Sequence, residues 1–256
     1  MKIVRYVTDK KIRYGILEGE TVRELTGTPY RGVKPNDTRR KLSEVRLLAP
    51  CLPSKIVALG VNYRSHAAEV KIAVPTEPLI FLKPSTAVIG PEDNIIYPES
   101  SKQVDYEGEL GVVIKKRACR VARSEAIDYI LGFTCFNDVT ARDLQSKDKQ
   151  WTRAKGFDTF AAIGPCIETE LDPDNVEMET RLNGELKQQA STRELNFPIA
   201  ELVSFISHVM TLLPGDVIAT GTPSGIGPMQ PGDTVEVIIK PIGILRNHVA
   251  RLDRCH

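Results

Sequence analysis

The segment Val104-Asp105-Tyr106-Glu107-Gly108-Glu109 sets three carboxylates at alternate positions directly before an apolar run over 110–114. Side chains of an extended chain alternate between faces, so Asp105, Glu107 and Glu109 would share one face, about 6–7 Å apart per pair. Acids side by side at the mouth of a buried strand repel, unless one is protonated or a cation lies between them. A further acid, Asp138, ends the apolar run Phe133-Thr134-Cys135-Phe136-Asn137. Neither Cys nor His accompanies Glu107, Glu109 and Asp138 as a candidate ligand, and a hard, all-oxygen donor set selects Mg²⁺, Mn²⁺ or Ca²⁺ over zinc. The pattern also suits solvated acids on an exposed strand, and spacing alone leaves both readings open.

A second constellation is Asn62-Tyr63-Arg64-Ser65-His66-Ala67-Ala68-Glu69. With Ser65 as the cap of a short helix, His66 and Glu69 fall at i and i+3 on one face. A carboxylate beside a histidine fixes its tautomer and stabilises its charged form, which suits a general base; an incidental surface pair has the same spacing. The run Gly221-Thr222-Pro223-Ser224-Gly225 lacks the Gly-Lys-Ser/Thr ending of a P-loop, and Pro223 removes a backbone donor. It reads as a plain turn, or as a loop that brings backbone N–H groups and the Thr222 hydroxyl close to a small anion. Lys155 precedes Gly156 and an apolar stretch; facing three acids, it would serve an anionic substrate.

The elements that must carry these residues are mostly strands. Short apolar runs at 2–7, 12–17 and 21–25, separated by turn residues, make residues 1–49 a small N-terminal β unit. Pro50 and Pro53 lead into the main body, residues 50–256, with strand-like runs at 56–61, 79–83, 110–114, 132–136, 217–220 and 234–240. Asn183-Gly184 is a hairpin signal, because both central residues of a type I′ turn need positive φ. Helical patterns are few: 124–130, a stretch after Asp138, and 199–212 with Leu202, Phe205, Ile206 and Val209 at helical spacing. The fold class is therefore α+β and β-rich, without the βα rhythm of a doubly wound sheet.

Thirty-four Lys and Arg against thirty-three Asp and Glu give a net charge of +1, which argues against a nucleic-acid or anionic-membrane partner. No apolar stretch approaches the roughly 18 residues of a membrane span. The five cysteines, at 51, 119, 135, 166 and 255, include no Cys-x-x-Cys pair and read as reduced thiols of a cytoplasmic protein.

Taken together, the motifs resemble the fumarylacetoacetate hydrolase superfamily, in its single-catalytic-domain form. The likeness runs from about Lys55 to Asn247 and rests on Asn62-Tyr63, His66, Glu69, Phe81-Leu82-Lys83-Pro84, Asp105 to Leu110, Asn137-Asp138-Val139-Thr140-Ala141-Arg142-Asp143, Ala154-Lys155-Gly156-Phe157-Asp158, Asn183-Gly184-Glu185 and Gly221-Thr222-Pro223. The resemblance implies a fumarylacetoacetase C-terminal-domain-like roll of layered β-sheets with few helices, usually a homodimer. It implies a divalent cation, usually Mg²⁺, on Glu107, Glu109 and Asp138, and catalytic roles for His66, Glu69 and Lys155. The His–Glu pair is expected on a segment that orders over bound substrate. Gln145, about two helical turns beyond Asp138, Lys155 and Thr222 are the implied substrate contacts. The implied activity is C–C bond cleavage, by hydrolysis or decarboxylation, of a small acylpyruvate-like 2-oxo acid through an enolate held on the cation. Isomerisation of a 2-hydroxyhepta-2,4-diene-1,7-dioate-like compound uses the same parts, and a non-catalytic metal- or metabolite-binding protein on this scaffold is the remaining alternative. The first fifty residues are too short for the separate N-terminal domain of fumarylacetoacetases.

Overall fold

The structure is a computed structural model and describes residues 1–251, so Cys255 and His256 lie outside the described residues. Among those residues, strands form three sheets and regular α-helix is confined to α1 (Arg64–Glu69), α2 (Arg142–Asp148), α3 (Thr152–Lys155) and α4 (Ile199–Val209). The largest sheet has 12 strands. Its path runs from Pro35–Lys41 through Thr21–Leu25, Lys11–Glu18 and Lys2–Thr8 to Ala161–Glu168, then Ile130–Asp138, Gly108–Ile114, Val217–Ala219, Lys55–Gly60 and Leu79–Pro84. A five-stranded sheet contains the hairpin Glu177–Leu182 and Glu185–Ser191, and a three-stranded one contains Val104–Tyr106.

The N-terminal strands extend the main sheet. Lys2 and Ile3 pair with Glu168 and Ile167, and Ile3, Val4 and Tyr6 are fully buried. At the centre, every residue of Gly108–Ile114 is buried because both of its faces are covered. Leu110, Val112 and Ile114 join a core completed by Leu202 and Ile206 of α4 and by Val237 and Leu245, whereas Val113 packs on the opposite face with Ile56, Phe136 and Ile163. A strand covered on both sides reads as a continuous apolar run, which is the pattern of 110–114.

Asn183 and Gly184 both have positive φ, at 52° and 82°, closing the hairpin as the type I′ turn requires. Two helical expectations change. The pattern at 124–130 forms a 3₁₀ segment, Arg123–Tyr129, and the helix expected over 199–212 ends at Val209, where Met210 turns extended. No helix among the described residues is long and apolar enough to cross a membrane.

Candidate active site and metal centre

Two neighbouring strands of the large sheet bring the acids together. Gly108 lies opposite Asn137 and Glu109 opposite Phe136 in the ladder. One step further along, Asp138 N–H donates to the Glu107 carbonyl at 2.9 Å, so these two residues face each other across the strands. Glu109 shares the face of Glu107 by strand alternation. One carboxylate oxygen from each of Glu107, Glu109 and Asp138 lies within 4.8 Å of the others, and all three residues are buried. Asp105, expected on the same face, stands outside this group. The chain changes sheets at Glu107, and the Asp105 carboxylate accepts from Arg142 Nε at 2.8 Å.

Two glycines make the geometry possible. A Cβ on Gly108 would lie 1.9 Å from Thr180 Oγ1, so only a bare backbone passes there. Gly108 N–H donates to Gln188 Oε1 at 3.0 Å, and its carbonyl accepts from the Thr222 hydroxyl at 2.9 Å. Gly221, at φ +96°, donates its N–H to Glu109 Oε2 at 2.9 Å. The Gly-Thr-Pro loop thus spends the N–H of Gly221 and the proton of Thr222 on the strand that bears the acids. Thr222 still lines the cleft, with its oxygen already accepting from Gln188 Nε2 at 2.8 Å.

Three cations hold the acids. Lys155 Nζ donates to Glu107 Oε2 at 2.7 Å and to Asp138 Oδ2 at 2.6 Å. Lys83 Nζ donates to Asp138 Oδ1 and to the Val139 carbonyl, and Arg142 Nη2 donates to Glu107 Oε1 at 2.5 Å. Burial by itself would raise the Glu107 carboxyl, but Lys155, Arg142 and His66 outweigh burial and hold it well below its ordinary value. Glu109 goes the other way: burial, then the charges of Asp138 and Glu107, push it well above the usual carboxylate range. Burial lowers Lys83. It also opposes the charge on Lys155, where Asp138 and Glu107 prevail and raise it. Lys83, which the sequence offers only within Phe81-Leu82-Lys83-Pro84, takes a central place here, and it shares strand parity with Phe81 on one face of Leu79–Pro84.

The residues fit a divalent cation. The donor set is all oxygen, and Glu109 Oε1 is buried with no hydrogen-bond partner. Each oxygen of Glu107 and Asp138 that accepts from Lys or Arg retains a further lone pair. A hard cation such as Mg²⁺ or Mn²⁺ meets those requirements.

Beside the acids is a cleft of about 320 Å³ whose polar side presents His66, Glu107, Arg142, Gln145, Lys155 and Thr222. Helix α1 starts at Arg64 after Tyr63, so Ser65 lies inside its first turn and is not the cap. His66 Nδ1 is 3.0 Å from Glu69 Oε2, and Glu69 Oε1 accepts from Gly225 N–H at 2.9 Å. Facing an ionised carboxylate, a neutral ring would carry its proton on Nδ1 and leave Nε2 as the free nitrogen. Gln145 lies on α2, and its Oε1 accepts from Arg142 Nη1 at 2.6 Å, which leaves its NH₂ as the group able to meet a ligand. His66, Gln145, Lys155 and Thr222 thus line the same cleft as Glu107, with Glu109 and Asp138 beside Glu107 and Glu69 on His66, whereas Asp105 does not join them.

The profile described as fumarylacetoacetate (FAA) hydrolase C-terminal matches residues 55–250, and one described as Rv2993c-like, N-terminal, matches residues 1–50. The chain belongs to the fumarylacetoacetate hydrolase family. The crystal structure of 5-carboxymethyl-2-hydroxymuconate delta-isomerase from Mycobacterium smegmatis is 44% identical, with a TM-score of 0.93 over 98% of this chain and 100% of that one. The mitochondrial oxaloacetate tautomerase FAHD2B of Bos taurus is 43% identical over 220 residues, 81% of this chain and 70% of that protein. Maleylpyruvate hydrolase from Sphingobium sp. SYK-6, solved in complex with manganese(II) ion and pyruvate, is 30% identical, with a TM-score of 0.82 over 98% of this chain and 99% of that one. The chain is an enzyme of this family, and its relatives bear the names of an isomerase, a tautomerase and a hydrolase.

Proposed function

We propose that this protein is a divalent-metal-dependent enzyme that moves a proton on the carbon beside the 2-oxo group of a small 2-oxo acid, interconverting keto and enol or double-bond isomers. The observation that carries this reading is the His66–Glu69 pair, placed on the same cleft as Glu107 and Lys155. Mg²⁺ is the cation proposed, held by Glu107, Glu109 and Asp138, and it would supply Lewis acidity for negative charge developing on the 2-oxo oxygen. The chain's own groups do the rest. His66 Nε2 takes the proton and returns it, while Glu69 stabilises the imidazolium formed in between. Lys155, charged and buried, supplies positive charge beside the carboxylate or enol oxygen of the substrate. The NH₂ of Gln145 orients the acid end.

A second reading is C–C bond cleavage of an acylpyruvate-like acid, in which His66 instead deprotonates a water that attacks the distal carbonyl. Maleylpyruvate hydrolase, similar over nearly the whole chain, is the observation in its favour. An assay with Mg²⁺ and three compounds, enol-oxaloacetate, acetylpyruvate and a 2-hydroxymuconate-type diene, followed by ultraviolet absorbance, separates the readings. Rapid ketonisation or diene isomerisation without pyruvate formation supports proton transfer. Pyruvate release from acetylpyruvate supports cleavage, and inactivity on all three rejects both.

A further inference from the structure

Asp105 is the acid of the 105–109 run that the proposed reaction leaves without a part. Alternation along an extended strand would set it on the face of Glu107 and Glu109, yet its carboxylate turns to Arg142. Strand register brings the two together. In the short antiparallel pair of Val104–Tyr106 with Thr140–Ala141, Val104 faces Ala141 and Asp105 faces Thr140. Arg142 N–H donates to the Gln103 carbonyl at 2.8 Å, which places the start of α2 beside this pair. Asp105 is 2% exposed, and its Oδ1 accepts from Gln103 Nε2 at 3.0 Å.

Arg142 divides its guanidinium among three partners. Nε donates to Asp105 Oδ2 at 2.8 Å, Nη1 to Gln145 Oε1 at 2.6 Å and Nη2 to Glu107 Oε1 at 2.5 Å. A guanidinium is a planar fork, so a partner on Nε sets where both Nη groups face. An arginine only donates, so the Gln145 oxygen turns to Nη1 and its NH₂ is left for the cleft that both side chains line. On Glu107, Arg142 takes Oε1 and Lys155 takes Oε2, with one nitrogen each.

Without Asp105 this division would not hold. Glu107 would be the carboxylate left to Arg142 among the described residues. An arginine beside a lone carboxylate favours a two-pronged grip on both of its oxygens. That grip would occupy the lone pairs a cation needs and draw Nη1 off Gln145, freeing the amide to turn its oxygen to the cleft. With Asp105 present, the positive charge of Arg142 is shared between two carboxylates instead of falling wholly on Glu107.

We infer that Asp105 is a positioning residue: by holding Arg142 Nε it keeps Glu107 open to the divalent cation and keeps the Gln145 amide turned so that its NH₂ meets the acid end of the substrate. This rests on the metal-dependent 2-oxo acid reading above and adds to it a residue that acts through Arg142.

The test is calorimetric titration of the full chain with Mg²⁺, and then with oxalate at saturating Mg²⁺. Wild type is compared with Asp105→Ala, Asp105→Asn, Gln145→Ala and the double variant of Asp105→Ala with Gln145→Ala. Asp105→Ala should weaken Mg²⁺ binding by about 10–100-fold, the range for losing a group that orients a metal ligand. It should weaken oxalate by about three- to tenfold, the worth of one hydrogen bond. Asp105→Asn keeps an oxygen for Arg142 Nε and should recover most of both losses. Because Asp105 acts on oxalate through Gln145, the double variant should bind oxalate no more weakly than Gln145→Ala alone, whereas a residue that merely props the strand would add its own loss.

Unchanged Mg²⁺ affinity in Asp105→Ala overturns the inference, as does an oxalate loss that adds to that of Gln145→Ala, or an Asp105→Asn as impaired as Asp105→Ala. Should Asp105→Ala fail to fold, Asp105→Ser, whose oxygen sits one bond closer to the backbone, takes its place; if neither folds, Asp105 is a structural residue and the inference fails. Wild type that binds neither Mg²⁺ nor oxalate overturns the parent reading and the inference with it. Wild-type binding of both, with Asp105→Ala unimpaired, overturns the inference alone.

Discussion

Glu107 and Asp138 face each other across adjacent strands, and a single ammonium group, Lys155 Nζ, bridges them at 2.7 and 2.6 Å. Each also has a separate cation on its other oxygen, Arg142 for Glu107 and Lys83 for Asp138. Glu107 and Asp138 are thus held close together by groups that cancel their repulsion.

Removing Lys155 tests that bracing. In Lys155→Met, two buried carboxylates lose the charge between them, a change that typically costs about 3–5 kcal/mol. The metal-free variant should melt well below wild type, and saturating Mg²⁺ should raise its Tm by more than it raises that of wild type. Thermal unfolding with and without Mg²⁺ checks this; identical Tm values for the two metal-free proteins would refute it.

As a ligand of the proposed cation, Glu109 would link metal binding to pH. Its carboxyl is raised well above 4.5 by burial and by Asp138 and Glu107, so in the metal-free protein it keeps a proton that the unfolded chain releases near pH 4.5. The folded state then binds more protons between that pH and the raised value, so this group's contribution to stability falls as pH rises through the window. A cation must displace the proton, and the affinity for Mg²⁺ should rise with pH, with about one proton released per ion bound. Calorimetry in two buffers of different ionisation enthalpy measures the release. Glu109→Gln should retain metal-free stability near neutral pH while losing Mg²⁺ binding.

In the proposed mechanism His66 carries the proton transfer without building the site. His66→Ala should lower kcat by about 10²–10⁴, the usual span for loss of a general base. Oxalate affinity in the presence of Mg²⁺ should stay within a few-fold, because no metal-ligand candidate hydrogen-bonds to this ring. Glu69→Gln should lower kcat less, since the Gly225 contact and ring position can persist. Rate assays paired with oxalate titration distinguish the roles; a parallel loss of binding and rate would make His66 a structural residue.

Gly108 is the steric test. Gly108→Ala places a methyl group 1.9 Å from Thr180 Oγ1, so the strand must shift and carry Glu107 and Glu109 with it. Overpacking of this kind costs about 1–3 kcal/mol or more, and Mg²⁺ affinity should fall with it. Thr180→Ala in the same chain removes the clashing oxygen but leaves a Cβ 3.2 Å away, so rescue should be partial. Chemical denaturation of the single and double variants, with Mg²⁺ titration, reads both effects.

Local pattern was enough for much of this molecule. The apolar runs at 56–61, 110–114 and 132–136 become strands of the large sheet, and Asn183-Gly184 closes a hairpin, because strand burial and positive φ leave direct marks on residue type. The alternation of Glu107 with Glu109 and the i, i+3 spacing of His66 with Glu69 are likewise properties of a single element, readable from one segment. What pattern alone left open was pairing between segments. That Asp138 stands opposite Glu107 while Asp105 turns to Arg142 depends on strand register and on the change of sheets at Glu107. Lys83, on a strand at the end of the large sheet's path, and Lys155, at the end of α3, come from segments separated in sequence from the acids and converge only when the sheet and short helices pack. The N–H of Gly221 and the hydroxyl of Thr222, candidates for an anion, turn inward to Glu109 and Gly108 because buried donors take the nearest acceptor the fold offers. Residue type and spacing thus identify the chemical groups, whereas long-range packing decides which neighbours hold them and where their charges face.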